Sequence, residues 1–213
     1  MTLIGARTRR VEDERLITGE GRFAGDARLP GLCHLVLLRS VDPHALLRSV
    51  DVSLARAGTG VLAAWSAADL EGRTNMPLAG FGGPGLDDDL RPRQLLAVDE
   101  VFHVGDAIAA VVAETPEEAW DAIELVDVDA EPLPAVAGAD NAVRPGAPLV
   151  HRDREGNTVG RFVFTFGDID AAFQGAAHRV RSRMSTDRVV GAAMEPRSVT
   201  AVPQSDGGLE VRT

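Results

Sequence analysis

The residues able to do chemistry are few and scattered. Histidines stand at positions 34, 44, 103, 151 and 178. No two of them have the close spacing that would bring a pair of imidazoles to one metal ion. His34 lies within the apolar run 32–38, and His103 sits between two valine-containing stretches. Both read as core or hydrogen-bonded histidines. His151 and His178 have more polar neighbours but no adjacent acid and nucleophile. The single cysteine, Cys33, excludes an internal disulfide, a Cys-ligated iron–sulfur cluster and a Cys-rich zinc module. Its apolar surroundings predict a small buried hydrophobe rather than a nucleophile. There is no Gly-x-Ser-x-Gly elbow and no phosphate-cradling loop with a following Lys.

Glu195 is the most unusual acid. The segment Ala192-Ala193-Met194-Glu195-Pro196-Arg197 sets a carboxylate between an apolar run and a bend fixed by proline. The ordinary reading is a salt bridge to Arg197 or Arg188. The functional one is the lining of a substrate or cofactor cavity. No second catalytic partner is evident, so no residue is assigned as catalytic and none as a metal ligand.

The elements that must position these groups follow from hydropathy and caps. Residues 1–19 read as an irregular arm. Residues 32–40 predict a strand buried on both faces, 43–49 a helical turn or loop, 51–57 a short helix and 61–65 a second strand. Ser66 and Asp69 have capping spacing. Residues 72–93, rich in Gly and Pro, predict a long loop. Residues 107–113 predict a buried strand. Thr115, Pro116 and Glu118 then supply a helix cap, a first-turn proline and the acid of a capping box. Residues 126–130 alternate as a strand that Pro132 and Pro134 end. The fold class is therefore α+β over residues 20–135, with a linker at 136–160. Beyond it, 162–166 predicts an extended piece and 168–173 a short helix capped by Asp168. Further strand candidates fall at 178–183, 188–193, 198–202 and 209–212. The second segment, 161–213, reads as the opening of a domain, because a strand left without a neighbour is an aggregation hazard.

Charge and composition narrow the function classes. The net charge is −10, and all 22 basic residues are arginines. Residues 83–135 hold 14 acids and two arginines, so the acidity is that of one segment. With 4% aromatic residues and no tyrosine, neither a base-stacking nor a phosphate-tracking surface is indicated. No nucleic-acid partner is expected. The first 30 residues contain no long apolar run, which gives neither a signal peptide nor a membrane span and leaves the cytoplasm as the expected compartment.

The motifs, in order, resemble a known family. Gly5 to Arg10 and the run Arg10-Val11-Glu12-Asp13-Glu14-Arg15-Leu16-Ile17-Thr18-Gly19-Glu20-Gly21-Arg22-Phe23 open it. Asp26 and Leu29-Pro30-Gly31 follow, then the strand ending Arg39-Ser40. Next come VFHVGDAIAAVVAE at 101–114, Glu131-Pro132-Leu133-Pro134, Asp168-Ile169-Asp170-Ala171-Ala172-Phe173 and Met194-Glu195-Pro196-Arg197. Together they resemble the N-terminal part of the molybdopterin-binding large subunit of the xanthine dehydrogenase / aldehyde oxidase / carbon monoxide dehydrogenase family. Two departures are mild: His103 replaces a common aromatic, and Gly191-Ala192-Ala193 precedes Met194 where a proline is common.

The resemblance implies an α/β hammerhead domain at 20–135 and the incomplete start of the molybdopterin-binding region at 161–213. It implies an N-terminal segment or split subunit of a molybdenum hydroxylase that oxidises an aldehyde, an N-heterocycle or carbon monoxide, inactive as an isolated chain. Molybdopterin or molybdopterin cytosine dinucleotide would belong to the full complex, with FAD and 2Fe–2S on partner domains or subunits, and none bound by this chain alone. The expected partners are a chain carrying the rest of the large subunit and iron–sulfur and flavin subunits. The family's principal molybdenum-site residues lie beyond Thr213, so Glu195 and Arg197 are expected only to support the surroundings of the cofactor. The alternative is a non-catalytic structural, assembly or binding module that dimerises through its second segment.

Overall fold

The computed structural model describes residues 4–7, 9–70, 94–160, 163–186, 189–193, 195 and 197–213. The expected α+β character is present. In chain order the elements are α1 (Asp13–Ile17), β1 (His34–Arg39), β2 (Ala45–Asp51), α2 (Ser53–Arg56), β3 (Val61–Trp65), β4 (Glu100–Val101) and β5 (Ala107–Ala113). They continue with α3 (Pro116–Ile123), β6 (Asp127–Pro132), α4 (Ala139–Ala142), α5 (Ile169–Gly175), β7 (Thr200–Pro203) and β8 (Leu209–Arg212). They fall into two units, one of residues 31–176 and one of residues 1–30 with 177–213.

In the larger unit β5 is the centre of an antiparallel sheet ordered β1-β5-β3. Its sequence, Ala-Ile-Ala-Ala-Val-Val-Ala, has no polar residue because both faces are covered. Ala109, Val111 and Ala113 pack with Val36, Ala64, Ala119, Ala122 and Ile123, on the side of α3. Ile108 packs with Ala45, Ala97 and Val101, part of the cluster on the second antiparallel sheet, β4-β2-β6. The alternation predicted for β6 is observed: Val128 and Ala130 join that cluster while Asp127, Asp129 and Glu131 stay exposed.

The predicted cap of α3 is present in full. The Glu118 N–H donates to Thr115 Oγ1 at 3.2 Å, and Glu118 Oε2 accepts the Thr115 N–H at 3.1 Å. Gly60 adjoins this cap with φ +69°, and a Cβ there would stand 2.1 Å from the Glu118 carboxyl carbon. The predicted Ser66–Asp69 cap is also present. Asp69 Oδ2 accepts the Ser66 N–H at 2.8 Å and the Ser66 hydroxyl at 3.2 Å, and Asp69 Oδ1 accepts Arg56 Nη2 at 3.1 Å.

Several expectations need correction. Residues 43–49 supply much of a strand, β2, not a helical turn. The reason is a register shift: Leu47 opposes Ala130 while Ser49 opposes Asp129. Arg48 thus drops out of the ladder, where its guanidinium pairs with Glu131, and the period-2 signal is interrupted. β1 is not buried on both faces, because as an edge strand it turns Leu35 outward at 59% exposure. Cys33, expected to be buried, is exposed just before it. His34 is half-buried.

In the smaller unit β7 and β8 pair antiparallel with Thr200 opposite Arg212. The alternating stretch 178–183 forms no strand among the described residues. Alternation suits a strand but supplies no partner for its backbone groups. Residues 189–193 likewise carry no strand. The expected loop at 72–93 lies outside the described residues, as does Arg188.

Gly60→Ala is expected to lower stability by roughly 1–3 kcal/mol through backbone strain and displacement of the Glu118 cap. Urea unfolding checks this, and the loss combines less than additively with Thr115→Ala. Asp69 is held below the usual carboxylate range, chiefly by the Ser66 backbone N–H, against the opposing effect of burial, with the Ser66 hydroxyl and Arg56 adding to it. A depressed folded pKa stabilises above the unfolded value, about 3.9, and the effect is lost as pH falls through the folded one. Asp69→Asn should therefore be less stable than the parent at neutral pH, with the difference closing in acid. A pH series of urea midpoints reads this.

Candidate functional site

In the smaller unit, the structure joins two of the segments singled out in the sequence. Residues Ala24–Asp26 form a single 3₁₀ turn. The Ala24 N–H donates to Glu195 Oε1 at 3.0 Å, and the Thr200 hydroxyl approaches the Ala24 carbonyl at 3.5 Å. Asp26 Oδ2 accepts the Phe23 N–H at 3.1 Å. Glu195 therefore ties the N-terminal arm to residues 195–200, across 171 positions of sequence. Its partner is a backbone amide and not Arg197, which is exposed. A carboxylate on a backbone N–H makes a charge-assisted hydrogen bond. This is positional chemistry.

The larger unit holds a polar cluster that sequence reasoning missed. His44, only 4% exposed, stands immediately before β2. Its Nε2 lies 2.7 Å from Glu100 Oε1, and its Nδ1 lies 3.0 Å from the Pro134 carbonyl. Arg152 Nε donates to the same Glu100 oxygen at 3.1 Å. Phe102 lies between two imidazoles, with ring centroids 6.0 Å from His44 and 4.6 Å from His151. His44, Glu100 and Arg152 are more than fifty positions apart in succession, so no spacing rule exposes them. The one local signal was an imidazole at the start of a stretch misread as a turn.

The remaining histidines do not converge. His103 Nδ1 is 3.5 Å from Asp106 Oδ2 at the surface, and His178 is exposed. Among the described residues no group of three or more His, Cys, Asp or Glu could hold a metal ion. No helix among them is long and apolar enough to cross a membrane. Two clefts open in the larger unit. One of about 640 Å³ is lined by residues of 47–50, 66–70 and 94–99. The other, of about 400 Å³, lies among Leu38, Val41, Leu47, Ile108, Val126 and Val128. Neither is lined by Glu195, Arg197 or the His44 cluster.

Comparison with known proteins gives a consistent picture. Residues 18–134 match the family model for the aldehyde oxidase and xanthine dehydrogenase a/b hammerhead domain. Residues 150–213 match that of the molybdopterin cofactor-binding domain. The 6-hydroxypseudooxynicotine dehydrogenase complex subunit gamma of Paenarthrobacter nicotinovorans is 35% identical over 94% of this chain and 25% of its own length. The carbon monoxide dehydrogenase large chain of Afipia carboxidovorans is 39% identical over 70% of this chain and 18% of its own. Quinoline 2-oxidoreductase from Pseudomonas putida 86 superposes with a TM-score of 0.79 at 33% identity, over 97% of this chain and 26% of that one. Aldehyde oxidoreductase from Desulfovibrio gigas gives 0.80 at 26% identity, over 95% and 22%. The chain thus spans about a quarter or less of the length of these relatives.

Glu195→Ala is expected to cost about 0.5–1.5 kcal/mol and to speed exchange of the Ala24 amide, because that donor exchanges its carboxylate acceptor for water. Glu195→Gln keeps an acceptor oxygen and should lose less. Amide exchange resolved at residues 23–26 separates the two variants.

Proposed function

The chain belongs to the aldehyde oxidase and xanthine dehydrogenase family, and from that premise we propose that it is the N-terminal segment, or a separately encoded subunit, of a molybdenum hydroxylase large subunit. The reaction would be oxidation of an aldehyde, an N-heterocycle or carbon monoxide, carried out in the cytoplasm. The observation that carries this reading is the row of uncovered apolar side chains in the segment matched to the molybdopterin domain. Phe164, Phe166, Val180, Met184 and Val190 are 87–94% exposed. Side chains of this kind are ordinarily buried, and a continuation of the same domain would cover them.

The described residues of 163–213 do not by themselves fit a molybdopterin. They are nearly all exposed, line neither cleft and offer no metal-holding group. No chemical step is therefore assigned to this chain. The cofactor, molybdopterin or its cytosine dinucleotide, would supply the redox chemistry in the assembled enzyme, where protein provides binding and orientation. FAD and 2Fe–2S centres would sit on partner domains or subunits and carry electrons onward. Within such an assembly Glu195 and Thr200 hold the N-terminal arm in place. Arg197 is exposed and would support the surroundings of the cofactor.

A second reading is favoured by the same open surface. The two-stranded β7–β8 ladder could pair with a second copy, giving a non-catalytic module that dimerises through residues 161–213.

Co-expression with a chain carrying the rest of the large subunit decides between them. The expected result is a co-purifying complex with stoichiometric molybdenum, while the 213-residue chain alone retains far less than one equivalent. Stoichiometric molybdenum on the chain alone would overturn the proposal. A stable homodimer that ignores the second chain would favour the module.

A further inference from the structure

Residues 133–160 span the junction of the two family matches, from the end of the hammerhead match at 134 past the start of the molybdopterin match at 150, and not one of them is buried. Apolar burial therefore does not hold this stretch in place, yet it has a defined path. Asn157 knits it internally: Oδ1 accepts the Val150 N–H at 2.8 Å, and Nδ2 donates to the carbonyls of Ala142 at 3.0 Å and Pro148 at 2.8 Å. What remains is to fasten this strap to the body of the larger unit.

We propose that His44, Glu100 and Arg152 form a charge clasp that fastens the strap at two points, Leu133–Pro134 and Arg152. At the first the Leu133 N–H donates to the His44 carbonyl at 2.8 Å, and the His44 ring meets the Pro134 carbonyl. At the second, Arg152 reaches the Glu100 carboxylate that also holds His44 Nε2. One carboxylate oxygen thus links the body to the strap directly at Arg152 and, through the His44 ring, at Pro134. Leu46 of β2 opposes Glu100 of β4 in the ladder, which fixes the acid beside His44. Phe102 packs at a tilt against His151, next to Arg152.

Both ring nitrogens of the buried His44 lie within hydrogen-bond distance of an oxygen, Nε2 of Glu100 Oε1 and Nδ1 of the Pro134 carbonyl. Two donors competing for one oxygen are held by charge, since a neutral amide oxygen would bind them more weakly. The clasp sets where the chain leaves the hammerhead and enters the molybdopterin-matching segment. It depends only on the geometry of residues 31–176 and stands whether or not the proposed function holds.

The test uses the full chain and its own single cysteine. Cys33 is exposed and takes one spin label; Val143→Cys, at a 64% exposed strap position, takes the second. Pulsed dipolar spectroscopy should give one narrow separation in the parent. Glu100→Gln keeps the shape of the side chain but removes its charge. It should raise the population at other separations roughly tenfold, the effect of losing a charged hydrogen bond. Arg152→Met removes a half-exposed side chain (53% exposed) without opening the core, so it remains folded and should broaden the distribution as well. Thermal unfolding of each variant reports that the body is intact. Unchanged distributions in both variants would overturn the clasp. Broadening with Glu100→Ala but not with Glu100→Gln would show that packing, not charge, fastens the strap, and would overturn it too.

Discussion

A strand buried on both faces is the constraint on which the larger unit depends. β5 must satisfy its backbone through β1 and β3 and fill space against a helix on one side and a second sheet on the other. Its alanines let those layers approach, while Ile108, Val111 and Val112 supply bulk. A polar substitution on either face would strand a buried group at a cost of about 1–3 kcal/mol or more. The capping box at Thr115 begins α3 directly after the strand, so the helix that covers one face is started at the point where that face ends.

Outside this core the chain is held by polar contacts. Glu195 fastens the arm through a backbone amide, and the His44–Glu100–Arg152 cluster fastens the strap. Neither depends on apolar burial. Among the described residues of 163–190, the apolar side chains of Phe164, Phe166, Val180 and Met184 are exposed. A hairpin of two short strands is marginal by itself, and β7–β8 is the one ladder described in the smaller unit. The contrast between a finished hammerhead core and an uncovered second segment is what membership in a family of much longer chains makes intelligible.

Local chemistry was legible in the sequence wherever one segment carried the whole signal. The apolar run of β5, the Thr115-Pro116-Glu118 start of α3, the alternation of β6 and the Asp168 cap of α5 are all of this kind. β2 was not legible because a register shift at Arg48 interrupts its period and Asp42-Pro43 before it reads as a turn. Cys33 and Leu35 were misplaced because an apolar run does not reveal that its strand lies at a sheet edge. Residues 178–183 alternate but form no strand among the described residues, because alternation does not supply a neighbouring strand. Glu195 stood out as an acid in unusual company, but its Ala24 partner lies at the other end of the chain. The His44 cluster was invisible for the same reason: three residues from three separate segments meet only after the sheets have formed.

The most direct measurement is amide hydrogen exchange on the chain alone and in the presence of a chain carrying the rest of a large subunit. Expected is strong protection over β5 and α3 in both samples, with residues 163–190 and 200–212 exchanging freely until the second chain is added. Protection of 163–190 matching that of β5 in the isolated chain would contradict the proposal that the rest of a large subunit covers this segment.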